Sequence, residues 1–382
     1  MQARTVRHGK TSNTLKVEGG LFLERPRFRM VRKRDTLSNL LLAVLILTAS
    51  GYFVIGGQSV PTPNAGIQDY GDWGTVTDHR VEVITTFWTD NPYPIDLTTG
   101  EFLHTRYSLT LNGVSIAEGS RDRIDLPRGN TSQTQTTYIH TDRLAAWWVR
   151  FLSGNETLDA TVNGQVRITT PIVNWTYGTT KSDTQFEDRT PILDSITRVV
   201  ERTEGRYVTS RRSPISHRQV VVGAKVKDAR ATWGRIDAKR TTLLIHYRIH
   251  NPSDTVPLAV DSTGLRMSLA MNDIELFHTG NGALSPETVN ATSLIRPGET
   301  RTVTFAITMN NDRVDDWFRS HVRRGERSDI DVRAHLVLDP HGTGETVRTP
   351  NDNVTYHCRM QTSVLEDDQP TATTCGDSGK RP

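Results

Sequence analysis

The sequence predicts a mainly β protein: two tandem antiparallel β-sandwiches, each with one short helix, behind one N-terminal transmembrane helix. The stretch that begins at Trp73 returns at Trp233, about 160 residues later, and a fixed period is typical of a duplicated unit. Both copies contain runs in which polar and apolar residues alternate, which is the pattern of half-buried strands. Residues 37–57 carry no charge, and about 20 helical residues suffice to span a bilayer.

The positive charge of the chain is concentrated at its start. Residues 1–37 hold ten Lys and Arg against three acidic residues, which leaves 36 basic and 40 acidic residues beyond them. A basic flank before the apolar segment and none directly after it predict a cytoplasmic N-terminus. We therefore predict a basic cytoplasmic arm at 1–36, an anchor in the lipid bilayer at 37–57 and an extracellular remainder. A cleaved signal peptide is the alternative, and nothing indicates nucleic-acid binding.

Composition and periodicity place the other boundaries. A Pro-containing spacer at 58–65 precedes the first sandwich at 66–177, and the second sandwich occupies 220–340. Residues 178–219 are interpreted as a linker with one candidate amphipathic helix. Residues 341–382 contain Gly, Pro and acidic residues and are predicted to be a flexible tail.

Turn and cap residues define the elements of the first copy. A strand at 80–87 must end near Asn91-Pro92, because proline offers no ladder N–H. Asn112-Gly113 predicts a hairpin between strands at 106–111 and 114–117. Asp142 is predicted to cap a helix. Further strands are predicted at 135–139 and 157–169, and the apolar helix face consists of Leu144, Trp147, Trp148, Phe151 and Leu152.

The second copy repeats this order. Asn251-Pro252 interrupts a strand at 243–249, Asn272-Asp273 stands where the first copy has its hairpin turn, and Asp312 opens the helix. The offset between the copies is about 160 residues at the hairpin and about 170 at the helix. We therefore expect an insertion around 278–290, where a longer surface loop costs little free energy. Further strands are predicted at 265–270, 301–307 and 329–338, and the helix face consists of Val314, Trp317, Phe318 and Val322.

The aromatic residues are interpreted as core. Trp147, Trp148, Trp317 and Phe318 at helical spacing are expected to seal each helix onto its own sandwich rather than to form a binding platform. Trp73 and Trp233, each followed by glycine, are likewise expected to be core residues.

No catalytic or metal-binding motif of the sequence is complete. His246 and His250 would share one face of a strand, but a metal site needs a third ligand, so we interpret them as two solvated histidines. The run Asp261-Ser262-Thr263-Gly264 departs from the spacing of aspartic proteases. We predict no enzyme activity, no metal and no cofactor.

Two kinds of residue bear on export. Cys358 and Cys375, the two cysteines of the chain, either form one disulfide outside the cell or remain two thiols in the tail. Five Asn-x-Ser/Thr sequons follow the apolar segment and agree with export. They are Asn130, Asn155, Asn174, Asn290 and Asn353.

A strand followed by Asn91-Pro92-Tyr93-Pro94 resembles the WHy (water stress and hypersensitive response) domain of LEA14-like, group 2 late-embryogenesis-abundant proteins. Asn251-Pro252 matches the motif too, but Ser253 to Pro257 stretches it. The two-copy, membrane-anchored arrangement is similar to archaeal envelope proteins of this family. The resemblance implies, for each copy, a sandwich of immunoglobulin or fibronectin III type with about seven strands and one helix. It implies a role in desiccation or osmotic stress and supplies no catalytic residues.

Three hypotheses of function follow. The leading one is a non-enzymatic, single-pass membrane protein that protects or organises the cell envelope under water stress. The alternative is an extracellular immunoglobulin-like adhesion or recognition module that binds a protein or glycan. A hydrolase is the third and least supported. The sequence does not determine the oligomeric state.

Overall fold

The computed structural model describes residues 53–55, 58–60, 62–97, 102–169, 174–212, 217–260, 264–279, 287–288, 294–341, 343–344, 346–350, 355–366 and 369–376. Residues 51–382 form one compact unit. The predicted cytoplasmic arm and residues 37–52 of the predicted transmembrane helix lie outside the described residues. Among the residues described, none of the helices has the length and apolar character needed to cross a bilayer.

Strands dominate the described part of the chain. Three α-helices accompany them: α1 (Leu144–Ser153), preceded by a 3-10 turn at Thr141–Arg143, α2 (Pro191–Glu201) and α3 (Arg313–Arg323). The first strands are β1 (Phe53–Ile55), β2 (Gln58–Val60), β3 (Asn64–Val76), β4 (Val81–Asn91), β5 (Leu103–Leu111), β6 (Val114–Ile124), β7 (Gly129–Tyr138), β8 (Leu158–Thr169), β9 (Asn174–Gln185), β10 (Gly205–Arg212) and β11 (Gln219–Ile236). The others are β12 (Arg240–His250), β13 (Leu258–Ala259), β14 (Leu265–Met271), β15 (Ile274–His278), β16 (Glu287–Thr288), β17 (Leu294–Ile295), β18 (Thr300–Asn310), β19 (Arg327–Pro340), β20 (Val347–Thr349), β21 (Tyr356–Gln361) and β22 (Ala372–Cys375).

The strands build two sandwiches with the same topology. Module 1, residues 64–185, packs the sheet β3-β4-β7 on the sheet β6-β5-β8-β9. Module 2, residues 205–375, has the order β11-β12-β18 within one sheet and β15-β14-β19 within the other, where β21 also pairs with β19. Seven strands of module 1 thus have counterparts in module 2. Within each sheet, neighbouring strands pair in antiparallel orientation.

Local sequence signals explain the regular parts. In β4 buried residues alternate with half-buried ones along the strand, as period-two patterning requires. The hairpin between β5 and β6 turns at Asn112 and Gly113, with φ of 47° and 74°, the left-handed conformation that a type I′ turn needs. Asn272 and Asp273 adopt the same turn in module 2, with φ of 52° and 66°.

Several sequence expectations are corrected near the N-terminal side. Phe53–Ile55, the three described residues of the predicted transmembrane helix that belong to an element, form β1 and pair with β2. In the sequence two glycines separate these strands, which is typical of a two-residue hairpin connection. The predicted spacer at 58–65 therefore contains β2 and the start of β3. Asp142 lies in the 3-10 turn, and α1 has no side-chain cap.

The predicted linker and flexible tail are also corrected. Residues 178–185 complete β9, which pairs with β8 along its whole length, and β10 extends the sheet of module 2. The tail contributes β20, β21 and β22. β21 pairs with β19, and its residues Tyr356, Cys358 and Met360 alternate with polar residues and are buried on one face of the strand. The candidate helix of the linker is α2, which begins with Pro191 at its first turn.

The two modules share one hydrophobic core. A single continuous cluster of buried residues includes Val81 and Trp148 of module 1 together with Leu243 and Trp317 of module 2. The junction between the modules is therefore built like a domain interior, and it contains two fully buried glutamates, Glu156 and Glu326.

Candidate functional site

The Asn-Pro turns hold the same hydrogen bonds in both modules. Asn91, 1% exposed, donates from Nδ2 to the carbonyls of Ile95 at 3.0 Å and Leu126 at 3.1 Å. Its Oδ1 accepts from the Tyr93 amide at 3.1 Å. The asparagine thus replaces a missing strand neighbour, where proline cannot donate.

Asn251 makes the equivalent contacts in module 2. It is also 1% exposed, and its Nδ2 donates to the carbonyls of Val256 at 2.9 Å and Ile295 at 3.0 Å. Its Oδ1 accepts from the Ser253 amide at 3.0 Å. The stretched motif of the second copy therefore closes around its asparagine as the first does.

Two tryptophan–glutamate hydrogen bonds cross the junction in opposite directions. Trp73 of module 1 donates from Nε1 to Oε1 of Glu326 in module 2 at 2.8 Å. Trp233 of module 2 donates from Nε1 to Oε1 of Glu156 in module 1 at 2.9 Å. Both carboxyl groups belong to residues that are 0% exposed. The arrangement has the form of a local two-fold axis that relates the modules.

Each glutamate also accepts hydrogen bonds from backbone amides about 36 to 39 residues further along the chain. Glu156 accepts from Ile192 N at 2.6 Å and Leu193 N at 3.0 Å, at the start of α2. Glu326 accepts from Val364 N at 2.6 Å and Leu365 N at 2.7 Å. Unpaired amides at a helix start favour an anionic partner, so Glu156 serves as the anchor for α2.

The backbone at both glutamates is left-handed. Glu156 has φ of 59° and Glu326 has φ of 55°, a conformation that is uncommon for residues other than glycine. Both residues follow the helix of their module, α1 or α3, and precede its next strand. The hydrogen bonds at the two carboxylates offset the backbone strain at these positions.

The two helices pack against each other through aromatic rings. Trp147 of α1 stacks on Trp317 of α3, with ring centroids 6.0 Å apart, and Trp148 meets Trp317 edge to face at 5.3 Å. Trp148 also donates to Thr241 Oγ1 of module 2 at 3.1 Å. The aromatic faces were expected to seal each helix onto its own sandwich. They also join the modules, because Trp147 and Trp148 of α1 contact Trp317 of α3 directly.

The pKa values of the two glutamates are shifted in opposite directions. Burial raises the pKa of Glu156 to about 7, against the hydrogen bonds from Ile192, Trp233 and Leu193. Burial also opposes ionisation of Glu326, but hydrogen bonds from Leu365, Val364, Thr362 and Trp73 outweigh it, so its pKa is lowered. The richer set of donors makes Glu326 the permanent anion of the junction.

His321 lies beside this anion. Its Nδ1 is 2.9 Å from Ser328 Oγ and its Nε2 is 2.9 Å from Thr362 Oγ1. Burial lowers its pKa, although the nearby Glu326 opposes the shift. The ring is therefore neutral near pH 7. Thr362 connects it to the carboxylate, since its hydroxyl donates to Glu326 Oε2 at 2.7 Å.

The histidines considered as metal ligands lie elsewhere. His246 is half-buried between Thr232 Oγ1 at 2.9 Å and Thr304 Oγ1 at 3.0 Å, and His250 contacts Thr300 Oγ1 at 3.1 Å. Neither is the freely solvated side chain that we expected. Among the described residues no three or more His, Cys, Asp or Glu side chains are grouped as metal ligands. Residues 261–263 lie outside the described part.

The residues that bear on export are the two cysteines and the sequon asparagines. Cys358 and Cys375 form a disulfide between β21 and β22. Asn130, Asn155 and Asn174 are exposed, and Asn290 and Asn353 lie outside the described residues. Glu156 and Glu326 were missed from sequence, although both stand at the offset of about 170 residues that relates the two helices.

Comparison with known proteins adds structural neighbours only. No protein-family model matches the sequence, and neither does any curated protein. A crystal structure from Archaeoglobus fulgidus matches 37% of this chain and 100% of its own length at 16% identity and TM-score 0.29. An Arabidopsis thaliana protein matches 35% of this chain and 87% of its own length at 15% identity and TM-score 0.26. A putative late embryogenesis abundant (LEA) protein matches 40% and 86% at 19% identity and TM-score 0.25. The structural neighbours thus include an archaeal protein and LEA-like proteins.

Proposed function

We propose that this chain is a non-enzymatic, membrane-anchored protein of the WHy type that protects or organises the cell envelope under desiccation or osmotic stress. The observation that carries the proposal is the buried asparagine of the Asn-Pro turn, which makes the same three hydrogen bonds at Asn91 and at Asn251. The motif that resembles the WHy domain is thus a structural unit in both copies.

Export of the modules is supported by three features. A disulfide joins Cys358 and Cys375, and disulfides persist in oxidising compartments outside the cytoplasm. The sequon asparagines of the described residues, Asn130, Asn155 and Asn174, are all exposed. The basic flank before residues 37–57 favours a cytoplasmic N-terminus. These features agree with a single-pass anchor that ends before β1 and with extracellular modules.

A deletion strain tests the proposed role. We expect it to lose viability after drying or salt shock relative to its parent, and the full chain to restore survival. A chain without residues 1–57, produced with a cleavable secretion signal, is the matched control: if anchoring matters, it restores survival less well. A deletion strain as resistant as its parent would contradict the stress role.

Protease treatment of intact cells tests the orientation separately. We expect module 1 and module 2 to be cleaved, or released, from the outside, while an epitope placed in residues 1–36 stays protected until the cells are opened. Protection of both modules on intact cells would contradict the extracellular assignment without bearing on the fold.

A recognition role is the second candidate, and one surface of module 1 favours it. The outer face of the sheet β6-β5-β8-β9 forms an open concavity of about 700 Å³ lined by polar side chains such as Arg106, Asn163 and Gln165. Hydrogen-bonding groups of this kind suit hydroxyl-rich ligands such as glycans. A glycan-binding profile of the purified chain, repeated with Arg106→Ala and Gln165→Ala, separates the two roles: sugar binding that these variants abolish favours recognition.

A further inference from the structure

One edge strand of module 1 is open to pairing. β7 pairs with β4 from Gly129 to Tyr138 without a register shift. Ile139 N donates to Val81 O, whereas His140 N donates to Ile116 O. The main-chain N–H and C=O groups of the odd-numbered residues of β7 therefore point toward β4. In an antiparallel ladder the N–H and C=O of one residue point to the same side. Asn130, Ser132, Thr134 and Thr136 therefore direct their main-chain groups away from β4, and in the described chain no other strand pairs with them.

The duplication shows that a strand fits at this place. β18 is the counterpart of β7 in module 2, and there Glu287 and Thr288 of β16 pair with Ala306 and Phe305. β16 lies within the region of the insertion that distinguishes the second copy. Module 2 thus covers this edge with its own chain, whereas none of the described strands of module 1 does so.

β7 also lacks the usual protection of an edge. Its sequence from Gly129 to Tyr138 contains no charged residue and no proline, although charges, prolines and bulges normally protect exposed edges. The pairing of β3 with β4 is interrupted by three register shifts. Other edge strands carry charges: Arg121, Asp122 and Arg123 on β6, Lys181 and Asp183 on β9, and Arg206, Arg211 and Arg212 on β10.

We propose that β7 is a dimerisation edge, at which β7 of a second copy of this chain adds antiparallel to form one continuous sheet across a two-fold axis. A two-fold axis places each residue against its own sequence, and like charges opposite each other are unfavourable. A neutral strand satisfies this condition in every register, whereas β6 and β9 satisfy it only in registers that pair opposite charges, and the charged residues of β10 are all basic. Since the described part of the chain presents one such edge, the assembly closes at two copies.

Exposed apolar side chains support this register. Tyr138, which is 45% exposed, is the last residue of β7, and Ile95, which is 63% exposed, lies near the first. Ile95 is placed there because Asn91 pairs with Gly129 and donates a hydrogen bond to the Ile95 carbonyl. With Thr134 opposite Thr134 of the second copy, each Tyr138 faces the Asn130 end of its neighbour, where Ile95 is exposed. The exposed side chain of Arg121 lies with its Nη1 3.5 Å from Thr134 O. It must move away when β7 of a second copy pairs with this edge.

Sedimentation of the full chain in detergent, produced in a host without N-glycosylation because Asn130 is a sequon, tests the proposal. We expect a concentration-dependent dimer in the micromolar range, as interfaces below about 1,200 Å² usually give. Thr134→Pro removes a free-edge donor and leaves the β4 ladder intact. It should raise the dissociation constant about 30-fold, the effect of two lost hydrogen bonds, whereas Thr134→Ala should change it little.

Charge and cross-linking variants keep the test independent of folding defects. Thr134→Lys and Thr134→Glu should each be monomeric, and their mixture should dimerise, since opposite charges then meet. Thr134→Cys introduces the one unpaired thiol and should form a covalent dimer on oxidation, whereas Thr184→Cys on the exposed edge β9 should not. A wild-type chain that remains monomeric, a mixture that stays monomeric or equal cross-linking at both cysteines would overturn the proposal.

Discussion

Trp147 and Trp317, equivalent residues of the two copies, stack with their ring planes 11° apart. Two equivalent residues in direct contact lie at the axis that relates the copies, and Trp73–Glu326 and Trp233–Glu156 flank this axis on either side. The continuous core through the junction makes the modules one folding unit.

The modules are expected to unfold together. The shared core and the crossed hydrogen bonds mean that most of the interior of each module is lost when the other opens, although a smaller cluster around Phe87 and Val166 lies within module 1 alone. Denaturant unfolding of the purified chain should therefore give one transition, with tryptophan fluorescence and far-ultraviolet circular dichroism coinciding. Two separated transitions would contradict the shared core.

Replacing either crossing tryptophan should destabilise the whole chain. Trp73→Phe or Trp233→Phe keeps most of the ring volume but leaves a buried carboxylate without one donor, at a cost of about 1–3 kcal/mol each. The free energy of unfolding from urea titration measures the loss. Trp175→Phe is the matched control: Trp175 is half-buried and stacks on Tyr177, far from either glutamate, so it should change stability less.

The buried asparagine of each Asn-Pro turn should tolerate neither truncation to alanine nor replacement by a charged residue. Asn91→Ala or Asn251→Ala removes three hydrogen bonds inside the fold, with an expected loss of about 2–4 kcal/mol. Asn91→Asp should be worse, because a carboxylate would face the carbonyls of Ile95 and Leu126. Thermal unfolding of these variants beside Asn174→Ala, at an exposed position, measures the difference. Equal melting temperatures for Asn91→Asp and Asn174→Ala would show that the turn is dispensable.

Glu156 should make stability depend on pH. Burial places its folded-state pKa at about 7, above its ordinary value of 4.5, so folding favours the protonated carboxyl. Its contribution is complete below about pH 4.5 and is lost as the pH rises through about 7, a change of about 3 kcal/mol. Unfolding titrations at pH 5 and pH 8 should show this loss in the wild type and a smaller one in Glu156→Gln. Identical pH profiles would refute the titration.

The disulfide should stabilise the C-terminal strands. Cys358 and Cys375 are 17 residues apart, and closing a loop of this length contributes about 3 kcal/mol. The double variant Cys358→Ser, Cys375→Ser should lose about this much stability and show faster amide exchange in β21 and β22. Alkylation of the native protein followed by mass spectrometry verifies that no free thiol is present beforehand.

Short-range signals made much of the fold predictable. Asn112-Gly113 needs only two residues to specify a turn, and Asn91-Pro92 ends its strand through the missing proline N–H. The apolar faces of α1 and α3 follow from helical spacing, and the duplication follows from matching residues at a fixed offset. Each of these signals depends on neighbours within one element or on the sequence alone.

The rest depends on contacts that are distant along the chain. β9 has few large apolar residues, and it is a strand because β8 offers a full-length partner. β21 lies within a stretch of turn-forming residues, and it is ordered by β19 and the disulfide. A buried glutamate is predictable only when its donors are known, and Trp73 stands 253 residues from Glu326. The aromatic helix faces were visible in the sequence, but their partner was not.

The reciprocal bonds also constrain how this gene can change. The indole of each module donates a hydrogen bond to the glutamate of the other module. Exchanging one module for that of a relative would therefore disturb both tryptophan–glutamate contacts at once. Recombination within the coding sequence should therefore preserve the halves as a pair, whereas the segments before and after them remain open to exchange.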